Sequence, residues 1–206
     1  MPSDSIRADD PARLDVPSPP ADPIEMPARP FALGATAVTG IALCALVGAV
    51  TNAVNGLVSP RYFITVLRWD GVEDIWRAAI AQGIFEGVLF GLFFSLIFTT
   101  GTGIITEVSC PWPFALRHLV GIAGGACVFW ALGGLIAMLL ATISPEFYRA
   151  AFFGVPNDFA AMIAYAFVGG SIWGVEFGAF VCVILGLVIL RANWRREMRL
   201  AEADRP

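Results

Sequence analysis

The sequence predicts an all-α integral membrane protein with four transmembrane helices, arranged as two tandem helical hairpins of the same orientation, with short interfacial helices in the two outer loops. Three observations carry this. Of the 206 residues, 57% are hydrophobic and 15% charged, and the mean hydropathy of +0.73 is too high for an ordinary soluble domain. The charges avoid the middle of the chain, since residues 31–190 hold only eight acids and five arginines. The second half of that middle region also repeats the first, and a repeat governs the architecture before any motif does.

Residues 1–30 carry eight of the fourteen prolines, six acids and three arginines, a composition with too little apolar surface to fold and therefore expected to be disordered. An acidic start with no apolar run until Phe31 is not the pattern of a signal peptide. From Phe31 to Pro60 there is no charge at all, enough for one helix across a ~30 Å hydrocarbon layer, which needs roughly twenty residues. Helix one is accordingly expected over 32–56 and helix two over 76–100, with a single acid, Glu86, in its middle. An inner loop over 101–116 precedes helix three at 119–142. Helix four spans 160–190, again with one acid, Glu176. The two repeats thus occupy 31–100 and 117–190, and a basic tail, 191–206, follows.

An even number of crossings puts both ends of the bundle on one side. Arg191, Arg195, Arg196 and Arg199 directly follow helix four, so the positive-inside rule predicts a cytoplasmic location for that side. The membrane is read as a bacterial cytoplasmic (inner) membrane. The thirteen basic residues are all arginine, which fits a GC-rich genome. The net charge of −4 and the lack of a basic stripe before the tail exclude a basic nucleic-acid binder. The cysteines Cys44, Cys110, Cys127 and Cys182 are scattered, without a CxxC, and make no disulfide scaffold.

Aligning residues 79–97 with 166–184, an offset of 87, gives eight identities in nineteen positions. Upstream the offset is 85, so that Gly48, Ser59 and Pro60 fall on Gly133, Ser144 and Pro145. Copies that each cross twice enter from the same side and are related by an axis along the membrane normal. Small residues recur every fourth position in both copies: Ala79, Gly83, Gly87, Gly91 and Ser95, then Ala166, Gly170, Gly174, Gly178 and Cys182. Such stripes let helix backbones approach closely in lipid. The expectation is that helices two and four cross each other, or their counterparts in a second subunit, along them. The outer loops open alike, with SPRYF at 59–63 and SPEFY at 144–148. Ser-Pro is a helix start in which the hydroxyl caps free amides. The aromatics Tyr62, Phe63, Trp69, Phe147 and Tyr148 suit the headgroup layer.

Glu86 and Glu176 are the residues with chemistry in reach. Both lie deep in their spans, where a charged carboxylate facing lipid costs ~2.5–3.5 kcal/mol or more. At 100° per residue Glu86 is about −100° from the Gly87 stripe and Glu176, in equivalent register, about −160°. Both leave the glycine seam on one side. Gln82 sits one turn before Glu86 on the same face, and Asn52 and Asn55 are placed to line the outer end of a shared interior site. A desolvated carboxylate exchanges protons near neutral pH. The bland alternative is a protonated glutamic acid bonded to a carbonyl or hydroxyl. His118 reads as an interfacial anchor more readily than as a titratable gate. The cluster Asp70, Glu73 and Asp74 with Arg68 and Arg77 reads as a solvated helix start, and Cys110-Pro-Trp-Pro113 as a rigid interfacial turn.

No catalytic, metal or cofactor motif is present in the sequence, and the protein is read as no enzyme, without a cofactor. The leading function is a small transporter or channel-like protein in which Glu86 and Glu176 handle protons or cations. The alternative is a non-catalytic assembly subunit that docks membrane helices through the two glycine stripes, as a homo-oligomer or with a membrane-protein partner. An enzyme acting on lipid comes third.

Overall fold

The computed structural model describes residues 28–204. The acidic segment expected to be disordered lies outside the described residues up to Pro27, and its last three residues, Ala28 to Pro30, lead into the first helix. Among the described residues there are six helices and no strand: α1 (Pro30–Val58), α2 (Pro60–Leu67), α3 (Ile75–Thr106), α4 (Trp112–Ile143), α5 (Pro145–Ala151) and α6 (Phe159–Ala203). Four of them, α1, α3, α4 and α6, are long and apolar enough to cross a membrane. This is the architecture of a multi-pass helical membrane protein. Large apolar side chains such as Leu46, Leu92, Leu96, Leu139, Trp173, Phe177 and Val188 are exposed outward, the arrangement that lipid as solvent demands.

Each span is longer than expected. Helix three begins seven residues early, at Trp112, because Pro111 closes the preceding loop and its carbonyl accepts from the Phe114 and Ala115 amides at 3.0 and 3.2 Å. Helix four does not stop at Leu190. α6 runs 45 residues, through the basic tail, because that tail carries apolar residues at helical spacing: Trp194 packs edge-on against Phe114, with ring centroids 5.5 Å apart, and Met198 packs on the same core cluster.

Helix starts follow local chemistry. Asp74 and Asp158 cap α3 and α6, accepting from the Arg77 and Ala161 amides at 3.0 and 2.8 Å. Ser59 and Ser144 are indeed the residues before α2 and α5, but neither hydroxyl makes the expected cap. The backbone does that work. The Ser59 amide closes α1 on the Asn55 carbonyl at 3.0 Å while its own carbonyl accepts from Tyr62 at 3.1 Å, and Ser144 likewise closes α4 on Leu140. A proline at the first helical position leaves one fewer amide to satisfy.

The glycine stripes settle the packing, and not as expected. Helices two and four do not cross each other along them. α3 packs along its length on α1 and α6 on α4, while α3 and α6 meet far less. A side chain on Gly83 would strike the Gly48 carbonyl, and one on Gly87 would come 2.7 Å from Ala45 Cα. One on Gly91 would lie 3.0 Å from Ile41 Cα. In the other pair Gly170 abuts Gly133 and Ala137, Gly174 lies against Phe129 and Gly133, and Gly178 against Phe129. The stripe on α3 meets small residues on α1, Gly48, Ala45 and Cys44, and the stripe on α6 meets Gly133 and Ala137 on α4. A close approach requires smallness on both helices, and the chain supplies it within each hairpin. Falling numbers on one helix meet rising numbers on the other, so both pairs are antiparallel. One face of the bundle thus carries the start of α1, the end of α3, the start of α4 and the end of α6; the opposite face carries α2 and α5.

Two of the aromatics expected in the headgroup layer are buried against the bundle. Phe63 and Tyr148 are 1% and 3% exposed. Phe63 stacks on Trp69 at 5.7 Å in a cluster with Ala79 and Val168. α2 therefore plugs its end of the bundle, because its apolar side turns inward. Phe147 remains exposed.

Candidate functional site

The two hairpins meet more loosely than the helices within each, and between them lies a cavity of about 100 Å³ lined by all four long helices. Glu86 of α3 and Glu176 of α6 both line it, with Asn52, Thr51 and Ser95 as polar neighbours and no arginine or histidine in the lining. The structure thus brings together the two acids that the sequence singled out. Both side chains are half-buried. Gln82 is where the helical repeat puts it, and its Nε2 donates to Glu86 Oε1 at 2.8 Å. The glycines Gly83 and Gly87 also line the cavity: the close α1–α3 contact and the carboxylate site share one stretch of α3. Towards α2 the lining includes Asn52 and Ile172; towards the other face it closes on Phe94, Phe98, Leu119 and Val183. A volume of that size is large enough to admit water.

Asn52 lines the cavity as expected, but Asn55 does not. It is fully buried and joins three helices. Trp130 Nε1 of α4 donates to its Oδ1 at 3.3 Å, Ser171 Oγ of α6 lies 3.0 Å from the same oxygen, and its Nδ2 donates to Asn52 Oδ1 at 3.4 Å. Sequence reading missed Trp130 and Ser171, although an asparagine in a charge-free span signals that some partner must be supplied from another helix. Asn55→Leu is expected to strand the Trp130 N–H, while the Ser171 hydroxyl keeps the Val168 carbonyl at 2.9 Å, and to cost about 1–3 kcal/mol, the penalty for one buried group left unpaired. Trp130→Phe removes one bond only and should cost about 1 kcal/mol. Reversible unfolding in mixed micelles, followed by circular dichroism, measures both.

Tyr62 was read as an interfacial aromatic and lies closer to the site than that. Its ring from α2 packs over Gly169 of α6, where an added Cβ would sit 3.1 Å from Cε2, and it tilts against Tyr165 with centroids 5.1 Å apart. Burial, then the neighbouring tyrosines, then Glu176 and Glu86 push its phenol up to about 12. The hydroxyl thus remains protonated at neutral pH.

The remaining candidates fall elsewhere. His118, expected at the membrane interface, is buried between α4 and α6: its Nδ1 lies 2.8 Å from the Phe114 carbonyl and Asn193 Nδ2 lies 3.1 Å from its Nε2. That pairing holds the neutral ring with the proton on Nδ1, because the extended α6 brings Asn193 alongside. Asp74 is committed to capping α3 and pairs with Arg77 at 3.2 Å, and Asp70 and Glu73 are exposed. Cys110 is buried in the turn before α4, its thiol pushed up to about 11 mainly by that burial, so at neutral pH it is the unreactive thiol. Among the described residues no three His, Cys, Asp or Glu side chains come close enough to hold a metal ion. No family model, curated protein or solved structure matches the chain.

Proposed function

We propose that the protein is a small transporter or channel-like protein of a bacterial inner membrane, in which Glu86 and Glu176 handle protons or cations at a site shared by two hairpins. One observation carries this reading. Two carboxylates from different hairpins line a single intramembrane cavity whose lining holds no positive charge. Acids placed so are costly unless they exchange a proton or meet a cation, and inside a membrane they mark a functional site by default.

The hairpins are read as products of an internal duplication, related by a pseudo-two-fold along the membrane normal. The backbone contact of Gly48 with Gly83 has its equivalent in Gly133 with Gly170 at the offsets of 85 and 87. The carboxylates break this symmetry, since Glu86 corresponds to Trp173 and Glu176 to Leu89. The face bearing the end of α6 is assigned to the cytoplasm from its arginines, with α2 and α5 as interfacial helices on the outer side. Neither enzyme chemistry nor a cofactor enters this reading. A docking subunit, the competing role, loses its main argument, because the glycine stripes are occupied within each hairpin; a homo-oligomer or a membrane-protein partner would have to use lipid-facing side chains.

Liposomes holding the purified protein, a trapped pH dye and an imposed potential test the proposal. Wild type is expected to carry a proton or cation flux that the Glu86→Gln, Glu176→Gln double variant lacks. Equal flux in both, or none in wild type, would overturn it.

A further inference from the structure

Three buried side-chain oxygens lack a hydrogen-bond partner among the described residues: Ser95 Oγ, Thr99 Oγ1 and Thr102 Oγ1. All three stand on α3, between the carboxylate cavity and the end of that helix. Five other threonines of the long helices donate back to the carbonyl four residues earlier. Thr36 bonds Ala32 at 2.7 Å, Thr39 bonds Ala35 at 2.7 Å, Thr51 bonds Val47 at 2.9 Å, Thr106 bonds Thr102 at 2.8 Å and Thr142 bonds Met138 at 2.8 Å. Ser95, Thr99 and Thr102 depart from that habit while buried, Ser95 to 4% exposure and Thr102 to none. An unpaired hydroxyl away from water is unfavourable, so the three oxygens call for a polar companion.

Their arrangement indicates which one. At 100° per residue Ser95, Thr99, Thr102 and Thr106 fall within about 60° of one another, a single stripe that begins against Gly40 of α1. Ser95 itself lines the cavity of Glu86 and Glu176. Beyond the other end of the stripe stands Glu107, exposed. Steps of four and three residues set Ser95, Thr99 and Thr102 about 5–6 Å apart, twice an O–H···O distance of ~2.7–2.8 Å. Each gap has the length that one bridging water would span. A metal cation in its place would want about six oxygens at ~2.0–2.6 Å, whereas the stripe offers one hydroxyl per step. The equivalent positions of the second hairpin are Cys182, Gly186, Ile189 and Asn193, without a hydroxyl, so the feature belongs to the first hairpin alone.

We propose that this stripe is one half of a proton path, in which a file of waters bridging Ser95, Thr99 and Thr102 relays protons from the carboxylate cavity towards the end of α3. Each member accepts a proton on one side and releases one on the other, so nothing but a proton is transferred. The inference rests on the reading of Glu86 and Glu176 as the exchanging site and narrows its substrate from protons or cations to protons.

Two variants separate the path from the site. Thr102→Val keeps the shape of the side chain and removes the hydroxyl; Thr102→Ser keeps the hydroxyl. In the liposome assay Thr102→Val is expected to slow proton flux about tenfold or more while Thr102→Ser stays within about twofold of wild type. Wild-type flux in Thr102→Val, alongside loss of flux in the Glu→Gln double variant, would overturn the path and leave the carboxylate site standing. Flux that ignores both glutamates would instead remove the site. For that case, a Thr102→Cys variant of a chain with its four cysteines replaced is treated with a small, charged, water-soluble thiol reagent. Labelling much faster than at a lipid-facing Leu96→Cys supports the water file, and labelling no faster overturns it.

Discussion

Leucine at Gly83 is expected to force α1 from α3 and to lower stability by about 3 kcal/mol or more, the upper range for overpacking. The reason is the identity of the obstacle. A side chain at Gly83 runs into the Gly48 carbonyl and comes 2.7 Å from its carbon, and it also approaches Asn52 Cβ at 2.8 Å. No rotamer of a neighbour can make room, because the neighbour is backbone. Gly133→Leu should do the same in the second hairpin, where Gly174 Cα lies 2.7 Å from an added Cβ. Gly121 supplies the control: a Cβ there meets nothing within 4 Å, so Gly121→Leu should change stability by less than about 0.5 kcal/mol. Unfolding in mixed micelles followed by circular dichroism ranks the three. Gly83→Leu as stable as Gly121→Leu would mean that α1 and α3 do not touch there.

What the sequence made legible was what depends on composition and spacing. Four spans follow from charge-free runs, and the pairing of Gln82 with Glu86 follows from the helical repeat. The convergence of Glu86 and Glu176 was reachable because both point off the glycine seam of their own helix. The partner of that seam was not legible from the stripe alone. A row of small residues announces a close contact without naming the helix that answers it; Gly48 and Gly133, already marked by the alignment as equivalent, were the signal that the answer lies within each hairpin. The inward turn of two aromatics was hidden for a related reason. Phe63 and Tyr148 suit a headgroup layer by type, and only the docking of α2 and α5 onto the bundle turns them inward. His118 and Asn193, seventy-five residues apart, meet because α6 stays helical past the apolar run, and hydropathy carries no information on that. Ser95, Thr99 and Thr102 look ordinary in the sequence, and it is the contrast with the bonded threonines that distinguishes them.

The account stands on one site made jointly by Glu86 and Glu176, and a double-mutant cycle of proton flux tests this most directly. Flux is measured for wild type, Glu86→Gln, Glu176→Gln and the double variant at one potential and one external pH, with each protein verified as folded. Residues that act as a unit are strongly non-additive. Each single variant is therefore expected to lose nearly all the flux that the double variant loses, by about a hundredfold, the range over which removing one member of a proton-transfer pair acts. Single losses that multiply in the double variant, or a flux indifferent to either glutamate, would contradict a shared site.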